Sequence, residues 1–305
     1  MEKEIKIKNQ PNEPQNQTSW QKARKSIKIK RVTTLDIVIA GILLSLYLLV
    51  VYLKNYTVFT FFKVNTEFIF NILMGAFLGP IFGPITAALA DTLGLVVAGN
   101  IGSWYWAFAI TPVLITFTSK IFFKFLFKKD NKSLYFMIAA SYAALMLATI
   151  VITKQIAISI EEEKQITLAR IFNFNKVPRS FVLVALIASY VVLTSLIILV
   201  VLPNRNNQKT QEYFKIFFLI LFLVVVFNWI YGPYRYINFY NYRLSHGILK
   251  KGALKNYGSD YLLWMSNYLI KSLITIPIYT VIMVSLLYPI KHFQKHFDTI
   301  RINAF

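Results

Sequence analysis

The sequence predicts an all-α fold, a polytopic membrane helical bundle, and three observations lead to this prediction. The chain has 305 residues, is 56% hydrophobic and has a mean hydropathy of +0.54. Charged residues make up only 15% of it, whereas soluble domains usually carry about 25%. Its apolar residues form unbroken blocks close to the roughly 20 residues that a helix needs to cross a bilayer. Helices are expected because backbone in lipid must satisfy its own hydrogen bonds.

The apolar blocks predict about eight spans. They run approximately over 35–53, 66–79, 83–98, 104–126, 134–153, 180–202, 214–231 and 263–289. Between the second and third blocks, Pro80 and Pro84 stand four residues apart. Two prolines at that spacing do not fit inside one straight helix. We therefore expect a tight turn joining two short helices there.

The polar connections divide the chain into four parts. These are a basic tail (1–34), four spans (35–130), a helical hairpin with an outer loop (131–205), and two spans with a long outer loop and a basic tail (206–305). Lys and Arg are frequent in the tails and in two connections, 127–133 and 203–213, whereas the short connections 54–65 and 99–103 hold two lysines. The positive-inside rule then predicts a multi-pass cell-membrane protein with cytoplasmic N- and C-termini.

The charge and residue inventory excludes several classes of function. The net charge is +20, but the cations are divided among the connections rather than gathered on one face, which argues against nucleic-acid binding. The chain has no cysteine, so disulfides, thiolate metal sites and iron–sulfur clusters are excluded. No nucleotide-binding or hydrolase motif occurs, and His292 with His296 supplies too few ligands for zinc. The sequence predicts neither an enzyme nor a bound cofactor.

The predicted outer loop 232–262 is basic. It carries Arg235, Arg243, Lys250, Lys251 and Lys255 against Asp260. One interpretation is a long loop whose charge has no effect on translocation. The other is a basic funnel that concentrates an anionic solute.

Small residues recur at a spacing of four near the predicted turn. Gly75, Gly79 and Gly83 form one series, and Ala90, Gly94 and Ala98 form another. Such spacing lets helix backbones approach closely in a membrane. Ala40, Gly41 and Ser45 form a shorter group on the first span, which either packs internally or docks onto a partner subunit.

Two charged residues within the spans are candidate site residues, since charges in a bilayer are expensive. Asp91 lies in the middle of the third span, where it either holds a helix–helix hydrogen bond or serves a substrate or coupling role. Lys271 lies two turns into the last span. It either extends outward to the interface or pairs with Asp91 or a bound carboxylate.

Aromatic and amide side chains near the predicted outer boundary form a second group of candidates. Trp104, Tyr105 and Trp106 open the fourth span, where they form an interfacial belt or stack on a flat ring. Asn228 and Trp229 combine an amide with an indole near the outer end of the seventh span. Both suit a heterocycle with ring nitrogens, because small-molecule pockets have apolar walls and few polar anchors.

Four segments stand out by their motifs: LMGAFLGPIFG at 73–83, AALADTLG at 87–94, FNWIYG at 227–232 and YLIKSLITIPI at 268–278. They resemble the S components of energy-coupling-factor (ECF) vitamin transporters, with the folate type nearest. The resemblance covers about 35–126 and 214–289. It implies a core of six helices, an outward-opening pocket and no catalytic activity, with 131–205 added as a hairpin of two further spans.

The resemblance also implies partners. A transmembrane coupling subunit and two ATPase subunits would energise import, and the small residues Ala40, Gly41 and Ser45 on the first helix would meet the coupling subunit. The expected function is therefore vitamin uptake as a substrate-binding subunit, with folate or a similar anionic heterocycle as cargo. The ring would contact the aromatic and amide candidates, and Lys271 or the basic outer loop would meet its carboxylates.

Two other functions stay open from the residues alone. A membrane scaffold or assembly protein predicts no pocket and an Asp91 that is bonded to a neighbouring helix. An intramembrane enzyme that uses Glu67 and Asp91 as acid and base is the least favoured of the three, because no nucleophile or metal site accompanies the carboxylates.

Overall fold

The computed structural model describes residues 34–56, 65–128, 130–161, 179–249 and 251–303. Residues 1–33 of the predicted tail, 57–64 of the connection 54–65 and 162–178 of the predicted loop 154–179 lie outside this set, as does Lys250. Within the described residues all regular structure is helical, and seven helices are long and apolar enough to cross a membrane. The prediction of an all-α polytopic bundle is confirmed.

The described residues form eight α-helices. They are α1 (Thr34–Tyr56), α2 (Glu67–Val97), α3 (Trp106–Leu126), α4 (Asn131–Glu161), α5 (Arg179–Leu196), α6 (Gln208–Val224), α7 (Tyr231–Ser245) and α8 (Ser259–Asn303). A 3-10 turn, Ile101–Ser103, precedes α3, and a π-helical turn, Ile197–Val201, extends α5. A second π-helical turn, Val225–Ile230, joins α6 to α7, so that one helical stretch runs from Gln208 to Ser245.

The predicted turn between the second and third spans lies inside α2. Gly79 has φ 88° and ψ −176°, which breaks the helix at that residue. Pro80 follows, at the start of the second half, where a missing N–H is tolerated. A Cβ built on Gly83 would lie 2.9 Å from the carbonyl oxygen of Met74, so the two halves fold back on each other. Two of the eight predicted spans therefore belong to one element, which leaves seven.

The small residues bring neighbouring helices into contact, as predicted. A Cβ on Gly75 would lie 2.4 Å from the carbonyl oxygen of Thr116 on α3, and a Cβ on Gly94 would lie 3.0 Å from the Tyr47 ring on α1. The Thr116 hydroxyl also donates to the carbonyl oxygen of Asn71 at 3.0 Å. Close backbone approach and an interhelical hydrogen bond are the interactions expected to hold membrane helices together.

The prediction of a long loop over 232–262 is wrong for its first half. Residues Tyr231–Ser245 are helical, and only 246–258 connect α7 to α8. Pro233 lies in the first turn of α7, directly after the π-helical turn. A proline without its N–H is accommodated at a helix start, and π-helical turns rearrange the backbone hydrogen bonds locally. As a helix, α7 packs beside α3 and α8.

The two helices of 131–205 pack on the rest of the bundle. The Ser141 hydroxyl on α4 donates to the carbonyl oxygen of Phe218 on α6 at 3.2 Å. Between α4 and α5, Tyr142 and Thr194 share a hydrogen bond of 2.8 Å. At the end of the bundle away from α7, Lys215 is buried and its Nζ donates to the carbonyl oxygen of Lys128 at 2.6 Å. Lys291 on α8 pairs with Glu212 on α6 at the same end.

Candidate functional site

Arg235 occupies the face of α7 that meets the start of α3. Its Nη1 donates to the Thr111 hydroxyl at 2.8 Å, and its Cζ lies 5.1 Å from the centroid of the Phe108 ring. This is cation–π geometry. The buried Nε has no hydrogen-bond partner among the described residues. The hydrogen bond to Thr111 thus fixes the guanidinium at Nη1, and the Nε–H group stays available as a donor.

Two carboxylates belong to the same region. Glu67, at the start of α2, pairs with Lys54 of α1 at 3.1 Å. Asp91 is half-buried on the second half of α2, and the charges of Glu67 and Arg235 both act on it. Within the part of the chain that is described, the Asp91 carboxylate makes no hydrogen bond and no ion pair. We call Arg235, Thr111, Phe108, Glu67 and Asp91 the Arg235 cluster.

Aromatic rings flank the Arg235 cluster. The ring of Tyr105 lies 5.5 Å from that of Phe239 and 5.3 Å from that of Tyr242. Phe108 meets Phe239 edge-on at 5.2 Å. The Tyr231 hydroxyl donates to the carbonyl oxygen of Ala107 at 3.2 Å. These contacts tie α7 to α3 and place flat apolar surface beside the guanidinium.

The predicted aromatic group at the start of α3 is divided between two environments. Tyr105 is partly buried against α7, whereas the side chains of Trp104 and Trp106 are 47% and 55% exposed. Exposed indoles at the start of a span fit an interfacial belt. Of these three residues, Tyr105 is the one beside the Arg235 cluster.

Trp229 packs against α5 and α8. Trp229 is 3% exposed, and its indole N–H donates to the Ser272 hydroxyl on α8 at 3.2 Å. It lines a cavity of about 390 Å³ between α5 and α8, which we call the α5–α8 cavity. Among the described residues that line this cavity, Trp229 is the one that belongs to the seven predicted site residues. Asn228 is half-buried in the π-helical turn, and Lys271 is exposed on α8. The predicted residues therefore occupy several different environments.

The predicted docking residues on α1 also face different ways. Ala40 is buried, whereas Gly41 and Ser45 are exposed. No atom lies within 4 Å of the position that a Cβ on Gly41 would take, and the Ser45 hydroxyl donates to the carbonyl oxygen of Gly41 at 2.8 Å. Ala40 packs internally, and the other two form a shallow outward-facing step on the helix.

Arg235 was predicted to be one of the cations of a loop, and neither Phe108 nor Thr111 was a predicted site residue. A signal for Arg235 was present, because Tyr231, Arg235, Phe239 and Arg243 follow one another at a spacing of four. That spacing places residues on one face of a helix. For Phe108 and Thr111 no local signal exists, since their role depends on which helix packs against α3.

The Arg235 cluster offers binding groups of three kinds. A guanidinium with a free buried donor suits a carboxylate, carboxylates such as Asp91 accept hydrogen bonds from ring N–H groups, and the aromatic rings offer stacking surface. Across the described residues, no three His, Cys, Asp or Glu side chains lie close enough together to hold a metal ion.

Comparisons with known proteins add no relative. No protein-family model matches the chain, no curated protein matches it significantly, and no solved structure does so either.

Proposed function

We propose that the chain is the substrate-capturing membrane subunit of an ECF-type vitamin importer. Its cargo would be folate or a related anionic heterocycle, and separate ATPase subunits working with a transmembrane coupling subunit would supply the energy. The resemblance of 73–94, 227–232 and 268–278 to S components motivates the family. The Arg235 cluster supports the cargo class, because it combines a cation, hydrogen-bond acceptors and aromatic surface.

The observation that carries the proposal is the environment of Arg235. Its Nε is buried and unpartnered among the described residues, and its Nη1 is already held by Thr111. A buried donor without a hydrogen-bond partner costs free energy, and more so on a charged group. A carboxylate that accepts a hydrogen bond from Nε would remove this cost and would therefore bind favourably there. In this proposal the heterocycle lies against Tyr105 and Phe108, and Asp91 accepts a hydrogen bond from a ring N–H.

The first experiment is a binding titration of the purified protein with folate and other vitamins, followed by tryptophan fluorescence. We expect saturable binding of an anionic heterocyclic vitamin. Failure of every vitamin to saturate the signal at micromolar concentrations would overturn the proposal and favour the scaffold alternative.

A matched pair of variants then tests the site. Arg235→Lys keeps the charge but loses the planar fork that holds Thr111 and a carboxylate together, so affinity should fall by about 10–100-fold, the equivalent of one hydrogen bond to a charged group. Arg205→Lys changes an exposed arginine in the connection between α5 and α6, and it should bind like the unaltered protein. Equal affinities for the two variants would exclude Arg235 as the anion-binding residue.

A further inference from the structure

The α5–α8 cavity shares no lining residue with the Arg235 cluster. It has a volume of about 390 Å³ and lies between α5 on one side and α4, α6 and α8 on the other. On α5 the small residues Ala185, Ala188 and Ser189 leave the space, and Trp229 and Ser272 form part of the facing wall. The cavity is therefore built partly from the hairpin of α4 and α5.

The polar side chains of the cavity wall are already satisfied by one another or by backbone. The Trp229 indole donates to Ser272, whose hydroxyl donates to the carbonyl oxygen of Leu269 at 2.6 Å. The Ser189 hydroxyl donates to the carbonyl oxygen of Ala185 at 2.7 Å. The other described lining side chains are apolar. A water molecule needs two to four polar partners to stay in a cavity, so the wall selects an apolar occupant.

The cavity opens sideways between α5 and α8. Val192 and Leu273 belong to its wall and are nevertheless 64% and 76% exposed. The α5 span is also the least buried of the seven, with 17% of its 18 most apolar consecutive residues inside the bundle. For a helix that crosses a bilayer, exposed apolar side chains face lipid tails. The opening therefore leads into hydrocarbon rather than into water.

We propose that the α5–α8 cavity binds an acyl chain of a membrane lipid. The acyl chain of the lipid enters between Val192 and Leu273 and lies against the ring of Trp229. The inference does not depend on the vitamin proposal, because it uses neither the Arg235 cluster nor the resemblance to S components.

The experiment uses bromine on lipid tails as a contact quencher of tryptophan. In a variant that keeps Trp229 and carries Trp20→Phe, Trp104→Phe, Trp106→Phe and Trp264→Phe, Trp229 is the sole source of indole fluorescence. The variant is reconstituted into vesicles of phosphatidylcholine, with or without bromine in the middle of the acyl chains. We expect strong quenching by the brominated lipid, although the protein itself covers nearly all of the Trp229 surface. Absence of quenching would overturn the proposal.

Cavity-filling variants show whether the quenching comes from the cavity. Ala185→Phe, made in the single-tryptophan protein, should abolish most of the quenching. If this larger side chain prevents folding, Ala188→Leu at the rim of the cavity takes its place in the experiment. Ala143→Phe adds the same bulk at an exposed position of α4 outside the described wall, and should leave the quenching unchanged. Equal quenching in the filled and control variants would show that the lipid reaches Trp229 by another route and would refute the cavity as its site.

Discussion

At the scale of single residues, the backbone of Gly79 determines the fold-back of α2. Its φ of 88° with ψ of −176° is a conformation that essentially only glycine adopts. No atom lies within 4 Å of a Cβ built there, so the effect of a side chain would come from the backbone alone. We expect Gly79→Ala to destabilise the protein by about 1–3 kcal/mol, seen as a lower Tm in detergent.

The control for Gly79 is Gly102. It also has open space around a built Cβ, but its φ is negative. Gly102→Ala should therefore leave the Tm nearly unchanged. Similar melting of the two variants would mean that the turn in α2 is not held by the conformation of Gly79.

Arg235 and Lys271 illustrate which site residues a sequence identifies. A lysine inside an apolar block stands out at once, yet Lys271 is exposed on α8. Arg235 lies in a polar, tyrosine-rich segment and does not stand out by composition. It becomes a site residue because α7 packs beside α3, where Thr111 and Phe108 meet it. A sequence shows which charged residues lie in apolar spans, where they are energetically unfavourable. It does not show which side chains come together, because that depends on how the helices pack.

At the scale of elements, the contact between α2 and α3 depends on Gly75. A Cβ on this residue would lie 2.4 Å from the carbonyl oxygen of Thr116 and 3.0 Å from the Cβ of Ser119. Backbone on α3 cannot move aside cheaply, so Gly75→Ala should force the two helices apart. We expect a loss of about 1–3 kcal/mol in unfolding free energy, the usual range for overpacking.

Gly41→Ala is the matched control for this contact. Gly41 is also helical, but a Cβ there meets nothing within 4 Å. Alanine favours a helix over glycine by up to about 1 kcal/mol, so this variant should be as stable as the parent or slightly more so. Chemical denaturation of both variants gives the comparison. A Gly75→Ala protein as stable as Gly41→Ala would contradict the close approach of α2 and α3.

The elements themselves were largely predictable because each apolar block is long and flanked by polar residues. The error at 232–262 arose where that signal fails. The α7 helix has the polar sequence YGPYRYINFYNYRLS, and Gly-Pro is typical of a turn. The helix forms nonetheless because its aromatic side chains pack on α3 and α8, as Phe239 does against Phe108. Another such contact is Tyr236 against Trp264, with ring centroids 3.7 Å apart. Tertiary packing overrides the local signal here.

At the scale of the whole molecule, the orientation in the membrane is testable because the chain has no cysteine of its own. Ile248 in the α7–α8 connection and Asn206 in the α5–α6 connection are both exposed. The positive-inside rule places the first outside and the second inside. We expect a membrane-impermeant maleimide to label Ile248→Cys on intact cells and Asn206→Cys only after permeabilisation. The reverse pattern would invert the proposed topology.

Assembly with a coupling subunit and ATPases is the last consequence of the proposed function, and the step on α1 formed by Gly41 and Ser45 is where it is expected. Gly41→Leu fills this step without touching the Arg235 cluster, so vitamin binding by the purified subunit should persist. Because close helix approach needs small residues, co-purification of the ATPase pair and vitamin uptake by cells should both be lost. Ala143→Leu enlarges an exposed position on α4 and should preserve both. Normal uptake by the Gly41→Leu protein would show that the partner binds elsewhere.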